Sequence, residues 1–380
     1  MENFVFQNPT KLIFGQGMIA RLSKEIPAGK RILITFGGGS VKRNGVYEQV
    51  KEALKNFETF EFWGIEANPK IETLRKAIQL GKENQVDFLV AVGGGSVLDG
   101  TKLIAAGLLY EGDAWDLVLK GRTNMALPMG TVLTLPATGS EMNSGAVISK
   151  LETAEKFAFY SKHPVFSILD PTVTFTLPLH QIACGIADTF VHVMEQYLTT
   201  TGQSRLMDRW AEGILHSLIE IAPKILEKQD NYDLMADFML CATTGLNGFI
   251  AMGVHQDWAT HMIGHELTAL NGLTHGATLT IVFPGLLRTL KHNKQDKILQ
   301  YGERIWGITE GSEEERIEKT ICQTEAFFKT LGLPTRLKDA QIGEETILEI
   351  EKRFNERNVA FGENQDVTGT IAREILENCK

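Results

Sequence analysis

Phe88-Leu-Val-Ala-Val92 runs directly into Gly93-Gly94-Gly95-Ser96-Val97-Leu98-Asp99. An apolar run without polar alternation suits a strand covered on both faces, the pattern of a parallel sheet. The glycines that end it carry no side chains to keep a phosphate from the backbone, and the N–H groups opening a following helix attract an anion. The same arrangement stands upstream, where Arg31-Ile-Leu-Ile-Thr-Phe36 ends in Gly37-Gly38-Gly39-Ser40. One such cluster serves equally well as a tight turn. Two at corresponding strand ends favour a nucleotide or phosphate site. Neither is G-x-G-x-x-G, because the sixth residue is Lys42 in one and Leu98 in the other.

Outward from these strands the chain alternates. A helix is expected over roughly 46–56, a strand over 60–63, a helix over 69–84 and a buried strand over 130–135, ended by Pro136. Strands alternating with helices imply a parallel α/β sheet with right-handed crossovers. Thr138-Gly139-Ser140-Glu141 follows the last of these strands; its hydroxyls suit either a cofactor contact or the cap of a short helical turn. From His180 onward apolar residues recur at helical spacing, as in Leu215, Ile219, Ala222 and Leu226. The expected organisation is an α/β domain over 1–178 and an all-helical domain over 179–380.

The chain has 380 residues and a net charge of -9. That balance gives no reason to expect nucleic acid or an anionic membrane as a partner. The four cysteines are scattered without a CxxC pair, as in a reduced cytoplasmic protein. No basic-then-apolar export signal opens the sequence. Gly, Pro or charge breaks every apolar stretch well before the ~20 residues of a membrane span.

Asp188 and His192 stand four apart in a helical context, so their side chains share a face. His261 and His265 repeat the spacing, and His275 follows ten residues later. A carboxylate with two or three imidazoles suits zinc or ferrous iron. Scattered helix histidines are common, and it is the repeated spacing that favours a metal. H-E-x-x-H is absent, and with it the peptidase signature.

Together these stretches resemble the iron-containing (group III) alcohol dehydrogenase family over almost the whole length, nearest its NADPH-dependent aldehyde reductase and butanol dehydrogenase branch. The resemblance is carried by Phe14-Gly-Gln-Gly17, the two Gly-Gly-Gly-Ser segments, Leu135-Pro-Ala-Thr-Gly-Ser-Glu141, Gly185-Ile-Ala-Asp-Thr-Phe-Val-His192 with Glu195, His261-Met-Ile-Gly-His-Glu266 and Gly272-Leu-Thr-His-Gly276. It implies a dehydroquinate-synthase-like fold, usually a homodimer, with Asp188, His192, His261 and His275 as metal ligands. His265 would lie beside substrate and nicotinamide as orienter or proton relay. Gly37, Gly38, Gly39, Ser40, Gly94, Gly95, Ser96, Asp99, Thr134, Thr138, Ser140 and Lys156 would line the cofactor cleft. Where many relatives carry alanine before Lys102, this chain has Thr101.

The implied reaction is hydride transfer between NADP(H) and short- to medium-chain aldehydes or primary alcohols, assisted by one divalent ion, zinc or iron. A polyol dehydrogenase is the near alternative. A dehydroquinate-synthase-type lyase would require many basic residues around the cation, and a regulatory protein without activity would have damaged ligands. Preference for the 2′-phosphorylated cofactor follows from the segment after the first strand, Gly37 to Arg43. It offers Ser40, Lys42 and Arg43 and carries no acidic residue before Glu48. The basic pair would equally suit a solvent-facing helix start.

Overall fold

The computed structural model describes residues 1–200 and 203–380. They form two compact units, one of residues 7–178 and 228–247, the other of residues 1–6, 179–227 and 248–380.

The first unit holds the eight strands found among the described residues: β1 (Lys11–Phe14), β2 (Arg31–Phe36), β3 (Glu58–Phe62), β4 (Phe88–Gly94), β5 (Met129–Leu135), β6 (Gly145–Lys150), β7 (Glu155–Tyr160) and β8 (Phe166–Leu169). Six make a sheet in the order β1-β8-β5-β4-β2-β3, and every neighbouring pair in it is parallel. Strands β6 and β7 form a separate antiparallel hairpin. Alternate residues separate the two faces of the sheet. Ile32, Ile34, Phe36, Val90 and Val92 enter one core, with Val46 and Val50 of helix α2 (Val46–Ala53), which follows the short α1 (Leu22–Glu25). Leu33, Leu89, Ala91 and Leu133 enter the other, against α3 (Ile71–Glu83), α4 (Gly95–Gly107) and α5 (Ala114–Leu119). Both faces are covered, as the unalternating β4 requires.

Strand order reverses at β2 and β4. From β2 the chain moves outward to β3 at the edge, then returns to β4 on the other side. Open α/β sheets bind ligands at such a switch, beyond the carboxyl ends of the strands. Both Gly-Gly-Gly-Ser segments lie there. The expected strands are all present, whereas β1, β8 and the hairpin were not anticipated.

Helix α6 (Leu179–Tyr197) and α7 (Arg205–Glu227) belong to the second unit, and α8 (Tyr232–Gly245) does not. Here the structure corrects the expected 179–380 domain. Residues 228–247 join the α/β unit because Thr243 donates to Glu141, Asn143 Nδ2 to Leu246 O at 3.1 Å, and Gln229 Nε2 to Leu177 O at 3.0 Å. The second unit continues with α9 (Ala259–Asn271), α10 (His275–Thr289), α11 (Gln295–Trp306), α12 (Glu313–Thr330), α13 (Glu344–Glu356) and α14 (Gly369–Glu377). Helix α6 is its centre, packed on α7 and α10 and buried without interruption from Ile182 to Tyr197. Among the described residues no helix is long and apolar enough to cross a membrane.

Candidate metal centre and cofactor segments

A helix buried on all sides is normally apolar all round. Helix α6 instead carries Asp188, His192 and Glu195, each at most 4% exposed. Burying such groups costs several kcal/mol each unless partners or a metal satisfy them. Their spacing, i, i+4 and i+7, aligns them in one stripe. Across from the stripe come His261 on α9 and His275, the first residue of α10.

One carboxylate oxygen is the hub. Asp188 Oδ1 lies 3.5 Å from His192 Nε2, 3.6 Å from His261 Nε2 and 3.7 Å from His275 Nε2. Ligands at the usual zinc–nitrogen and zinc–oxygen distances, tetrahedrally placed, stand about 3.4 Å from each other. The observed separations are close to that edge length and too long for good hydrogen bonds. The ligand atoms of Asp188, His261 and His275 all lie within 4.8 Å of one another. Among the described residues His261 Nε2 is buried with no hydrogen-bond partner, while its Nδ1 meets Glu195. A cation accounts for that nitrogen. Burial pulls the His261 pKa down, but the carboxylates of Glu195 and Asp188 outweigh it and hold the imidazole up at about 9. The pocket thus carries a negative field that suits positive charge.

His275 keeps 20% of its side chain exposed, against 5% for Asp188, so the cluster opens on that side. His265 is buried, with its ring centroid 5.1 Å from that of His275 and 6.4 Å from that of His261. It borders the cluster and stays outside the hub. Trp258 sets its ring edge-on to His192 and His261, at 6.0 Å and 5.3 Å, and adopts a left-handed backbone with φ of 64°. A bulky residue there marks an enforced conformation. No local sequence signal identifies it. Glu195 was readable by its spacing, three residues after His192, yet has no role in the sequence-level assignment.

In the α/β unit the glycines divide by what surrounds them. A Cβ on Gly95 would lie 2.4 Å from Thr138 Oγ1, and one on Gly94 3.0 Å from Leu135 Cβ, so these positions serve close packing of α4 against the exit of β5. Helix α4 has Gly94 as its N-cap and no capping side chain among the described residues, leaving its first N–H groups for an outside acceptor. Gly37 is hemmed in by Val97 Cγ2 and Ile65 O, each 3.4 Å from an added Cβ. Gly39 is left-handed, with φ of 92°. Gly38 has neither constraint: an added Cβ meets nothing within 4 Å. Ser40 opens the short 3-10 turn after it.

The remaining expected contacts are partly engaged within the protein. Ser96 Oγ accepts from Asn68 N at 3.2 Å, and Lys156 Nζ donates to Asn68 Oδ1 at 2.9 Å. Thr134 is buried on β5, and Thr138 Oγ1 accepts from Ser140 N at 3.3 Å. Asp99 and Ser140 are the most fully engaged within the protein. Ser140 donates to Asp99 Oδ1 at 2.6 Å, Val147 N to Asp99 Oδ2 at 2.9 Å, and Lys102 Nζ to Ser140 Oγ at 2.8 Å. These contacts tie the loop after β5 to α4 and β6. Burial pushes Asp99 up against the pull of Lys102, and pulls Lys102 down to about 8.

On the strand next to β2, opposite Ile34, the structure adds a carboxylate that reading along the loop overlooked. Glu61, on β3, pairs with Lys51 at 2.8 Å and accepts from Trp63 Nε1 at 3.0 Å and Tyr47 OH at 3.1 Å. Three donors already occupy it. Lys42 Nζ stands 4.1 Å over the Trp63 ring.

Comparisons with known proteins agree with this geometry. The family described as "Iron-containing alcohol dehydrogenase" matches residues 9–171, and "Fe-containing alcohol dehydrogenase family, C-terminal" matches residues 182–378. The chain is 51% identical to the NADPH-dependent aldehyde reductase YqhD of Escherichia coli, over 99% of each chain. It is 44% identical to the probable NADH-dependent butanol dehydrogenase 1 of Bacillus subtilis, again over 99% of each. Among solved structures, E. coli YqhD superposes with a TM-score of 0.98, covering 100% of this chain and 99% of that one at 51% identity. The NADH-dependent butanol dehydrogenase A of Thermotoga maritima gives 0.95 at 39% identity, covering 100% and 99%.

Proposed function

The chain belongs to the iron-containing alcohol dehydrogenase family, and from that premise we propose that it is an NADPH-preferring reductase of short- and medium-chain aldehydes. It is a metal-dependent, NAD(P)H-linked oxidoreductase of small aldehydes and alcohols. The observation that carries the reading is the hub at Asp188, with three imidazole nitrogens 3.5–3.7 Å from one oxygen.

Asp188, His192, His261 and His275 are the residues that would hold the divalent ion. When bound, that ion supplies a Lewis acid to a carbonyl or alcohol oxygen, and the nicotinamide supplies or accepts the hydride. The chain's own residues do the rest. The exposed side of His275 admits the substrate, and Trp258 screens His192 and His261. His265 orients the substrate oxygen and passes its proton onward. His265→Asn separates those two tasks: loss of the relay flattens the pH profile of kcat, whereas lost orientation lowers kcat without changing the profile's shape.

For the cofactor, the uncapped start of α4 would receive the pyrophosphate. Gly38, Ser40, Lys42 and Arg43 would receive the 2′-phosphate, with Glu61 neutralised by Lys51. Asp99 and Ser140 support the Thr138 loop from within. We further propose that the protein is a cytoplasmic homodimer; free thiols at all four cysteines among the described residues suit a reducing compartment.

The test is steady-state turnover of butanal with NADPH and with NADH, beside glycerol oxidation, with elemental analysis of the same preparation. Faster reduction of butanal with NADPH, and loss of both metal and rate in His261→Ala, are expected. Full activity in a verified metal-free His261→Ala protein overturns the metal assignment, and turnover confined to polyols overturns the substrate assignment.

A further inference from the structure

Glu195 is 3% exposed, and both its carboxylate oxygens are engaged. Oε1 accepts from Thr260 N at 2.6 Å, and Oε2 meets His261 Nδ1. Its main-chain oxygen accepts from Asp257 N at 2.8 Å. Helix α6 therefore grips the first turn of α9 at two points and the residue before its cap at a third, all from one residue. Asp257 secures the same turn from the other side: its Oδ1 accepts from Ala259 N at 3.0 Å, and Lys294 pairs with it at 2.9 Å.

The chemistry of the middle contact is directional. An ionised carboxylate only accepts hydrogen bonds, so the imidazole must place its proton on Nδ1. A neutral ring then has its lone pair on Nε2, the nitrogen turned to Asp188 Oδ1 at 3.6 Å. Partners of this kind set the tautomer and raise the basicity of a metal-bound histidine.

We infer that Glu195 is a positioning residue that commits His261 to the metal-binding tautomer and orients its ring, so that cation affinity depends on a residue outside the ligand set. The inference rests on reading the Asp188 cluster as the metal centre.

Glu195→Gln is the informative change, because it keeps size and shape and alters only the pattern of donors. If the amide oxygen stays on Thr260 N, the amide NH2 faces His261 Nδ1. The ring must then accept there and carry its proton on Nε2, which cannot bind a cation. If the amide flips, NH2 faces the Thr260 N–H, donor against donor.

The measurement is Co2+ and Zn2+ affinity of the full chain by competition with a chromophoric chelator, with the visible Co2+ spectrum as a second signature. Metal-free samples are compared by far-UV circular dichroism and melting. Glu195→Gln should bind about 10–100-fold more weakly with little change in the metal-free fold. Glu195→Asp, which keeps charge and acceptor at shorter reach, should fall between, and decides the matter if the Gln variant does not fold. In a His261→Ala background Glu195→Gln should cost nothing more, whereas a merely structural role would add its effect in both backgrounds. Wild-type affinity in Glu195→Gln or Glu195→Asp, or additive effects in the cycle, overturns the inference while leaving the centre standing. Absence of stoichiometric binding by the wild type, or binding unaffected by His275→Ala, removes the centre and this inference with it.

Discussion

Gly276 follows His275 in the first turn of α10, and replacing it with alanine sets two effects against each other. Helix propensity favours alanine over glycine by roughly 0.8–1.0 kcal/mol. Packing opposes it: an added Cβ would lie 2.3 Å from Cys184 O, 2.8 Å from Cys184 Cα and 2.9 Å from Cys184 C. These are backbone atoms of α6, so no side-chain rotation relieves the overlap. Reaching an ordinary contact requires α10 and α6 to part by about 1 Å, and overpacking of this kind costs ~1–3 kcal/mol. With backbone on both sides we take the upper value, for a net loss of about 2 kcal/mol. For a unit of this size the Tm should drop by roughly 4–8 °C. The same displacement separates His275 on α10 from Asp188, one turn beyond Cys184, by more than the ~0.2 Å that ligand distances tolerate. Cation affinity should therefore fall with stability. Gly213, in the interior of α7, is the control. It is exposed and an added Cβ meets nothing within 4 Å. Gly213→Ala should raise stability by up to about 1 kcal/mol and leave cation binding alone. Differential scanning calorimetry and chelator competition on both variants decide it. Gly276→Ala with an unchanged or higher Tm and wild-type affinity would refute the packing argument.

Gly38→Asp should lower kcat/KM for NADPH far more than for NADH, since Gly38 touches nothing internal and the new carboxylate repels a 2′-phosphate; an equal loss with both cofactors contradicts that placement. Lys102→Met should destabilise the protein by about 3–5 kcal/mol, because it leaves Asp99 and Glu141 buried without their cation; chemical denaturation reads this, and Asp99→Asn in the same chain should recover part of the loss. Burial raises the Glu325 carboxyl, but bonds from Arg288 and Arg336 outweigh it and hold its pKa below the usual range. Its contribution is therefore complete above about pH 4.5 and lost as pH falls further. The melting temperature of Glu325→Gln should be depressed near neutrality and converge on the wild type in acid, and parallel curves would count against the pairing.

What could be read from the sequence, and what could not, follows from the range of each interaction. Asp188 and His192 belong to one helix, so their shared face is a local fact carried by spacing alone. The two Gly-Gly-Gly-Ser segments were legible as strand ends because a short unalternating apolar run closed by glycines suits a covered strand, and both follow parallel strands of the sheet. Strands β1 and β8 have only four residues each, too short for a period, and depend on register with neighbours far along the chain. Helix α8 reads as one more amphipathic segment; its place in the α/β unit is set by Thr243 meeting a glutamate 102 residues away. Glu61 escaped for the same reason, being adjacent to the Gly37 strand only across the sheet. Asp99 and Ser140 show the converse. Their positions in the glycine and Thr-Gly-Ser motifs suggest ligand contacts, yet their side chains close on each other at 2.6 Å. A motif read along the chain does not show which of its side chains are engaged inside the protein. Gly38 is the limiting case: a Cβ added there meets nothing within 4 Å, so packing does not call for glycine, and its place in the proposed cofactor site rests on the motif and on the Gly38→Asp test.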